Sequence, residues 1–297
     1  MATLLIGGGG LIGTALVKAI CERGEDLVVF SGHLPAHPVE GCTYYQGDLR
    51  EYGSLNRVFK NHQINRVIHN AGISSPKLFA DNIYKIYSTN VGGVLTSVEA
   101  ALMHDVQRYI YISTAGVYDP AFEGFVSEDT PRKANIPYRA TKIACEEIVR
   151  NYNIPETASL RVSYVYGPGR VVTCPIRQMV DDILKTNSVT WESGADQVQD
   201  HIYIDDVVEG ICRVAFAEKL RLSEYNLGSG VETTFGEIAN LVKERWPDAN
   251  ISIGPGTLNF SSGILSMDNF QKDFGWKPQV SIRDGMHLYF DWLEKNL

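Results

Sequence analysis

The chain has 297 residues, of which 44% are hydrophobic and 21% are charged, a balance typical of a folded globular protein. Its formal net charge of −8 argues against binding to nucleic acid, because the phosphates of nucleic acid require a basic surface. No segment approaches the roughly 18 uninterrupted apolar residues of a membrane span, and the N-terminus lacks the basic start of a signal peptide. We therefore expect a cytoplasmic protein that binds a small molecule and has no nucleic-acid or membrane partner.

The five cysteines do not form a recognisable framework. They are Cys21, Cys42, Cys145, Cys174 and Cys212. Their number is odd and none of them belongs to a C-x-x-C pair, so the spacing fits neither a set of disulfides nor a zinc site. The sequence predicts reduced, structural thiols and no metal.

Short apolar runs alternate with helical patterns in the first half of the chain. The predicted strands are 3–6, 27–30, 43–46, 66–70, 108–113 and 158–162. The predicted helices are 11–22, 53–61, 82–104 and one that begins at residue 137. Continuously apolar strands that alternate with helices indicate an α/β fold, a Rossmann-like, doubly wound parallel sheet with helices on both faces.

The regular alternation fades after residue 167. Helices are predicted at 175–185 and 205–218, and an amphipathic helix that Ser281 can cap covers 281–297. We expect a Rossmann domain over 1–167, completed by parts of 195–230, and a smaller C-terminal α/β substrate-binding region over 168–297. The two would leave a cleft at the carboxyl ends of the strands.

A glycine-rich stretch between the first strand and the first helix favours a dinucleotide site. Gly7, Gly10 and Gly13 form a G-x-x-G-x-x-G pattern, which permits a tight turn and close approach of the main chain to a pyrophosphate. The free N–H groups at the start of the helix, at Leu11 and Ile12, would face the phosphates.

The residues after the second strand leave the choice of dinucleotide open. An acidic residue there would hold the ribose hydroxyls of NAD, whereas an arginine would hold the 2′-phosphate of NADP. Ser31 and His33 occupy this place, and either side chain could hydrogen-bond to both forms. The sequence therefore predicts NAD(P), without a preference.

Tyr138 and Lys142 form a Y-x-x-x-K pair. The pattern alone is common by chance, but Pro137 is a natural first residue of a helix, which places the two side chains one turn apart on one face. An ammonium beside a phenol stabilises the phenolate and lowers its pKa by about 1–3 units. The pair thus predicts a general acid/base active near neutral pH. The alternative is a surface tyrosine beside a solvated lysine.

Further motifs follow in order along the chain. They are GDLR at 47–50, VIHNAG at 67–72, YISTAGVY at 111–118, PYRATK at 137–142, LRVSYVYGP at 160–168, DHIYIDDV at 200–207, YNLGSG at 225–230 and FGWKP at 274–278. Through these motifs the chain resembles, over essentially its whole length, the extended short-chain dehydrogenase/reductases of the NAD-dependent epimerase/dehydratase family.

The resemblance implies a role for each matching residue. Tyr138 would be the general acid/base, Lys142 would hold the nicotinamide ribose and tune Tyr138, and Thr114 would hydrogen-bond the reacting oxygen. Asn90 would be a structural or relay residue. The implied cofactor contacts are Gly7, Gly10, Leu11, Ile12, Gly13, Ser31, His33, Asp48, Leu49, Asn70, Ala71, Gly72, Asn90, Tyr138, Lys142 and Val165. Family members often dimerise, and the resemblance implies a homodimer formed through helices 82–104 and 137–152.

Three departures from the family pattern concern the substrate. Tyr164 and Gln199 stand where members that act on nucleotide-sugars usually have Asn and Arg, and 254–262 contains no cation where many have arginine. Phenols and amides do not easily replace charge-assisted contacts to a diphosphate. We therefore expect a smaller sugar, sugar acid or polyol-like substrate. The candidate substrate contacts are Ser74, Ser75, Thr114, Tyr164, Arg170 and Arg177, of which the two arginines could compensate for the lost cations or be solvated surface side chains.

The predicted function is that of an NAD(P)-dependent oxidoreductase, with hydride transfer at a carbinol or carbonyl carbon. One alternative is a nucleotide-sugar epimerase, similar to UDP-sugar 4-epimerases, that retains its NAD. Dehydratases of the family typically have Asp-Glu after the threonine, but Ala115 and Gly116 stand here, so dehydration is not favoured. A non-catalytic NAD(P)-binding sensor or subunit would tend to lose Tyr138 or Lys142, and both are present.

Overall fold

The computed structural model describes residues 1–74, 81–122, 124–170, 172–258 and 263–296. The strands in this part of the chain are β1 (Ala2–Ile6), β2 (Leu27–Ser31), β3 (Thr43–Gln46), β4 (Ile64–His69), β5 (Arg108–Ile112), β6 (Phe125–Val126), β7 (Glu156–Val162), β8 (Tyr164–Tyr166), β9 (Ser188–Trp191), β10 (Val198–Tyr203), β11 (Glu224–Leu227), β12 (Glu232–Thr234), β13 (Asn250–Ile253) and β14 (Ile264–Leu265). The helices are α1 (Leu11–Glu22), α2 (Tyr52–Asn61), α3 (Ile83–Tyr87), α4 (Gly93–Met103), α5 (Pro137–Asn151), α6 (Pro175–Thr186), α7 (Ile204–Ala215), α8 (Phe235–Arg245), α9 (Asp268–Phe274) and α10 (Ile282–Asn296).

Seven parallel strands form the central sheet, in the order β11-β7-β5-β4-β1-β2-β3. The order reverses direction between β1 and β4, and the carboxyl ends of these two strands therefore border a crevice. The predicted Rossmann-like, doubly wound sheet is confirmed.

Helices cover both faces of this sheet, because successive side chains of a strand point to opposite faces. Leu5 of β1 packs in one core cluster with residues of α1 and α7, whereas Leu4 and Ile6 pack in another with residues of α2, α4 and α5. The first cluster also continues into α6, α8 and α10. The C-terminal part of the chain thus shares its core with the sheet.

The C-terminal part supplies smaller sheets and also completes the large one. Strands β8, β10 and β12 form a three-stranded sheet, and β9 pairs with β13 and β6 with β14. Strand β11 joins the edge of the seven-stranded sheet beside β7, and α7 packs against α1. Ser281 caps α10 as predicted, since its hydroxyl accepts the Asp284 N–H at 3.1 Å. No helix of the described residues is both long and apolar enough to cross a membrane.

The helix predicted over 82–104 is interrupted. One turn of π-helix, Ser88–Gly92, separates α3 from α4 and carries the buried Asn90. The interruption has a tertiary cause, because the Asn90 amide bonds to the main chain of Ile73, on the loop that follows β4. A single turn of this kind is common at functional sites.

The expectation of five reduced thiols is wrong for one pair. Cys21, near the end of α1, forms a disulfide with Cys42, just before β3. The packing of α1 beside the β2–β3 edge brings the two together across 21 residues of sequence, and no motif signals this contact. Cys145, Cys174 and Cys212 are free and buried.

Candidate active site

The glycine loop after β1 has no room for side chains at two of its predicted positions. Gly7 has φ +95°, and a Cβ there would lie 2.6 Å from the Ala71 nitrogen. A Cβ on Gly13 would lie 2.1 Å from the Gly7 carbonyl oxygen. At Gly10 no described atom lies within 4 Å of such a Cβ. The loop is therefore tight against the protein at Gly7 and Gly13 and open at Gly10.

The start of α1 suits an anion. Among the described residues no side chain caps this helix at Gly10, and its first turn carries no acidic residue. Its first N–H groups and the positive end of its dipole are therefore available to a phosphate. The open position at Gly10, together with these N–H groups at Leu11 and Ile12, fits a dinucleotide pyrophosphate.

The residues predicted for the adenosine end lie along the β2 side of the loop. Ser31 ends β2 beside Gly9, with its Oγ 3.3 Å from the place of a Cβ on that glycine, and His33 is exposed. Asp48 forms an ion pair with Arg50, whose guanidinium lowers the pKa of the Asp48 carboxyl. Leu49 is buried in the core.

The loop after β4 closes the other side of the crevice. Asn70 donates its side-chain N–H to the Gly7 carbonyl at 3.0 Å. The Asn90 amide accepts the Ile73 N–H at 2.7 Å and donates to the Ile73 carbonyl at 3.2 Å and the Thr141 hydroxyl at 3.0 Å. These contacts hold the main chain of 70–73, which includes the predicted Ala71 and Gly72, between the glycine loop and α5.

Tyr138 and Thr114 meet at the carboxyl end of β5. Tyr138 lies in the first turn of α5, and Thr114 begins the short 3₁₀ turn Ala115–Val117. The Thr114 side chain lies close enough to the Tyr138 phenol to lower its pKa. Burial raises the pKa of the Tyr138 phenol to about 12, against the opposing effects of the Thr114 hydrogen bond and the charge of Arg139.

Lys142 lies one turn further along α5 and points at the strand. Its Nζ donates to the Ile112 carbonyl at 2.8 Å and lies 4.8 Å from the centre of the Tyr111 ring. Burial lowers the pKa of Lys142 to about 8. The prediction that Lys142 depresses the pKa of Tyr138 is wrong in this structure, because that pKa is raised and the cation that lowers it is Arg139.

Glu146 supports this arrangement and was missed in the sequence. It follows Lys142 by one turn, is 1% exposed, and accepts hydrogen bonds from Ser113 Oγ at 2.5 Å, Arg132 at 3.0 Å and Arg161 at 2.9 Å. The carboxylate thus links α5 to the residue that precedes Thr114. The spacing of Tyr138, Lys142 and Glu146, four residues apart on one helix face, was the available signal.

Three of the predicted substrate contacts come together. The Arg170 guanidinium lies 4.8 Å from the centre of the Tyr164 ring and donates to the Val165 carbonyl at 2.6 Å. Arg177, in the first turn of α6, donates to the Arg170 carbonyl at 2.9 Å and lies 3.6 Å from Asp181. Both arginines are half-buried with partners, so neither is a solvated surface side chain.

Of the two predicted serine contacts, one lies within the described residues. Ser74 is exposed on the loop after β4, and Ser75 lies outside the described residues. Gln199, which replaces the expected arginine, is 8% exposed on β10. Among the predicted substrate contacts, the cations are Arg170 and Arg177.

Sequence comparison gives one family for this chain. The family model described as the NAD dependent epimerase/dehydratase family matches residues 3–228. The UDP-glucose 4-epimerase of Lacticaseibacillus casei is 25% identical over 324 aligned residues, which cover 100% of this chain and 98% of the relative. That of Halalkalibacterium halodurans is 33% identical over 150 residues, 50% of this chain and 45% of the relative.

Solved structures share the fold over the whole chain. The UDP-glucose 4-epimerase of Thermus thermophilus, in complex with NAD, has a TM-score of 0.87 at 25% identity, and the alignment covers 100% of both chains. MoeE5, in complex with UDP-glucuronic acid and NAD, has a TM-score of 0.88 at 23% identity with the same coverage, a likeness of fold alone.

Proposed function

The chain belongs to the NAD-dependent epimerase/dehydratase family, and we propose that it transfers a hydride between NAD(P) and a carbinol or carbonyl carbon of a sugar, sugar acid or similar small polyol. The observation that carries the proposal is the position of Tyr138, in the first turn of α5, beside Thr114, at the start of the 3₁₀ turn after β5. This pair lies where open α/β sheets bind ligands, at the carboxyl ends of the strands.

In this proposal each residue has one chemical task. A bound nicotinamide would accept or supply the hydride. The Tyr138 phenol donates a proton to the substrate oxygen during reduction, and its phenolate removes that proton during oxidation. The Thr114 hydroxyl holds the same oxygen in place. The start of α1 and the loop at Asn70 would hold the dinucleotide, with Lys142 beside its nicotinamide ribose.

The raised pKa of Tyr138 keeps the phenol in the form that donates a proton at neutral pH. A phenol with a pKa of about 12 holds its proton near pH 7 and is ready to donate it. Oxidation needs the phenolate, which the Thr114 hydrogen bond and the Arg139 charge stabilise.

A substrate without a nucleotide is supported by how the arginines are already used. Arg170 donates to the Val165 carbonyl, and Arg177 donates to the Arg170 carbonyl and faces Asp181. These contacts leave fewer donors for a diphosphate than two free guanidinium groups would.

One observation favours a second candidate, a nucleotide-sugar epimerase. Arg170 and Arg177 lie together before and at the start of α6, and the UDP-glucose 4-epimerases of Lacticaseibacillus casei and Thermus thermophilus match the chain along its whole length. In that case the dinucleotide would be reduced and reoxidised within one cycle, with no net change.

Turnover assays separate the two candidates. The protein is incubated with NAD or NADP and either free sugars and sugar acids or UDP-glucose and UDP-galactose, while nicotinamide absorbance and product identity are followed. A net absorbance change with the free substrates supports the first candidate. Interconversion of UDP-sugars alone, without a net change, contradicts it and supports the epimerase. Parallel titrations with NAD and NADP decide the cofactor preference.

Replacement of the phenol tests the role of Tyr138. Tyr138→Phe is expected to lower kcat by about 10²–10⁴-fold, the usual contribution of a general acid/base, and to leave dinucleotide binding intact. Tyr152→Phe is the matched control, since Tyr152 ends the same helix and hydrogen-bonds the exposed Glu99. Wild-type turnover by Tyr138→Phe would contradict the assignment of Tyr138 as the general acid/base.

A homodimer formed through α3, α4 and α5 is part of the proposal. Tyr87, Leu95 and Leu102 are each 38% exposed, a larger apolar exposure than a helix facing water needs. Light scattering is expected to give a dimer for the wild type and a monomer for Leu95→Glu with Leu102→Glu. The control is Leu184→Glu, on the exposed face of α6, which should remain a dimer. A monomeric wild type would contradict the proposed homodimer.

A further inference from the structure

Arg139 lies beside Tyr138 and Thr114, although the sequence analysis gives it no role. It follows Tyr138 on α5, and its Nε is 3.7 Å from the place that a Cβ on Gly116 would occupy. The Thr114 Oγ1 is 3.4 Å from that same point. The guanidinium and the hydroxyl therefore flank one side of the 3₁₀ turn, and the missing side chain of Gly116 leaves space between them.

The charge of Arg139 acts within this space. The residue is half-buried, and burial lowers the pKa of its guanidinium, with the Tyr138 phenol and the Asp119 carboxylate acting in the opposite direction. Asp119 also faces Lys133, at 3.4 Å, and accepts the Ala121 N–H at 3.0 Å. An anion that reaches a partly desolvated guanidinium is attracted more strongly than it would be at an exposed surface.

We propose that Arg139 binds a carboxylate of the substrate, so that the preferred substrates are sugar acids. A guanidinium presents its donors in a planar fork that matches the two oxygens of a carboxylate. Because Arg139 and Thr114 approach a common point, the carboxylate lies a few carbons from the carbinol whose oxygen Thr114 holds. The inference rests on the proposed function, since it takes Tyr138 and Thr114 as the groups that hold the reacting oxygen.

The cluster formed by Arg170 and Arg177 is the competing cationic site. Its guanidinium groups bind the Val165 and Arg170 carbonyls and face Asp181. Arg139 is instead the cation whose charge acts on Tyr138 itself. A carboxylate close to the reacting carbon therefore meets Arg139.

The test compares acidic and neutral substrates of the same shape. Rates with D-glucuronate and D-galacturonate are measured against those with D-glucose and D-galactose, and UDP-glucuronate is measured against UDP-glucose. The ratio of kcat/KM for acid over neutral sugar is the readout, because any effect of Arg139 on the Tyr138 proton enters both rates and cancels. The variants are Arg139→Met, which keeps an apolar stem but no charge, and Arg139→Lys, which keeps the charge but not the fork.

We expect the wild type to prefer the acid and Arg139→Met to lose that preference by about 10- to 100-fold, the size of a charge-assisted hydrogen bond, mainly through KM. Arg139→Lys should lie between the two. Arg150→Met, on the exposed end of the same helix, should keep the wild-type ratio. An acid-over-neutral ratio that is the same in the wild type and Arg139→Met overturns the inference.

A binding measurement separates failure of this inference from failure of the proposed function. Thermal unfolding of the dinucleotide-loaded protein is followed with and without millimolar D-glucuronate. If no sugar is turned over, a rise in Tm for the wild type that is absent in Arg139→Met still supports the carboxylate site while contradicting the proposed function. With no turnover and no rise in Tm, the inference is overturned as well.

Discussion

The two sides of the crevice are built from different parts of the chain. The proposed cofactor side consists of main chain, the loop from Gly7 to Gly13 and the start of α1. The proposed substrate side consists of side chains from separate elements, such as Arg139 of α5 and Tyr164 of β8. The glycine loop has no room for a side chain at Gly7 and Gly13, so a substitution there must move the main chain. A site made of side chains can lose one contact at a time, so its substitutions have graded effects. Substitutions on the two sides should therefore differ in kind.

The largest effect is expected from Gly13→Ala on the cofactor side. The new Cβ would lie 2.1 Å from a main-chain oxygen, which has no alternative rotamer, so the loop must shift. We expect a loss of stability of at least about 3 kcal/mol in urea unfolding, together with loss of dinucleotide binding.

Gly10→Ala is the matched control for this prediction. Gly10 has φ −90° and ψ 179°, which alanine adopts freely, and the new methyl group would meet no described atom within 4 Å. Stability should therefore be unchanged within about 0.5 kcal/mol, whereas dinucleotide affinity should fall because the methyl group would stand over the start of α1. Wild-type affinity in Gly10→Ala would contradict the position proposed for the pyrophosphate.

The next effect concerns the junction between the two sides. Glu146→Gln removes the buried charge that compensates Arg161 and Arg132, and an uncompensated buried charge costs about 3–5 kcal/mol. Glu147→Gln is the control, since Glu147 is the next residue, is more exposed and pairs with Arg132 and Arg150 near the surface. It should change the free energy of unfolding by less than about 1 kcal/mol. Equal losses in both variants would contradict this account.

The third effect arises from the disulfide that joins Cys21, near the end of α1, to Cys42, just before β3. A link that closes 21 residues restricts the unfolded chain by about 3 kcal/mol in the chain-entropy account. Cys21→Ser, or a dithiol reductant, should lower stability by up to this amount. Thiol labelling of the denatured, unreduced protein should count the three free cysteines, and labelling after reduction all five. Five thiols without reduction would contradict the disulfide and support the thiols predicted from sequence.

The smallest effect per group is a pH dependence to which two buried histidines contribute. Burial lowers the pKa of His69, on β4, and of His201, on β10, to about 3 from an ordinary 6.5. Between these values the unfolded chain binds protons that the folded chain does not. Stability is thus full above pH 6.5 and falls as the pH is lowered.

At pH 5 the loss amounts to about 2 kcal/mol for each ring. Urea unfolding at pH 7 and pH 5 measures it, and His201→Phe should remove about half of the difference between the two. The His201 ring packs edge-on against Tyr164 and Phe235, so an apolar ring has suitable neighbours. No change in the pH dependence of His201→Phe would contradict this origin.

The same contrast explains how far the sequence could be interpreted. The strands and helices of the sheet follow from apolar runs and glycine spacing, which are local signals, and most bounds agree within two residues. The position of Tyr138 and Lys142 one turn apart on α5 also follows from the sequence, because helical spacing is a local signal.

What the sequence did not reveal depends on contacts between distant elements. The rise in the pKa of Tyr138 comes from burial, which no spacing shows. The disulfide joins α1 to the start of β3, and the space for Arg139 exists because Gly116 lies opposite on another segment. Candidate residues on the substrate side could be named, but their grouping could not.

The turn of π-helix at Ser88–Gly92 also limits the permissible length of this segment. Deletion of one residue there would let α3 continue into α4 as a regular helix, because a π-turn holds one residue more than an α-helical turn. Val94 and Val98 would keep facing the core, but the Asn90 amide would lose its place at the Ile73 main chain. Substitutions on the exposed face of α4 should be well tolerated, but a change of a single residue in length should not.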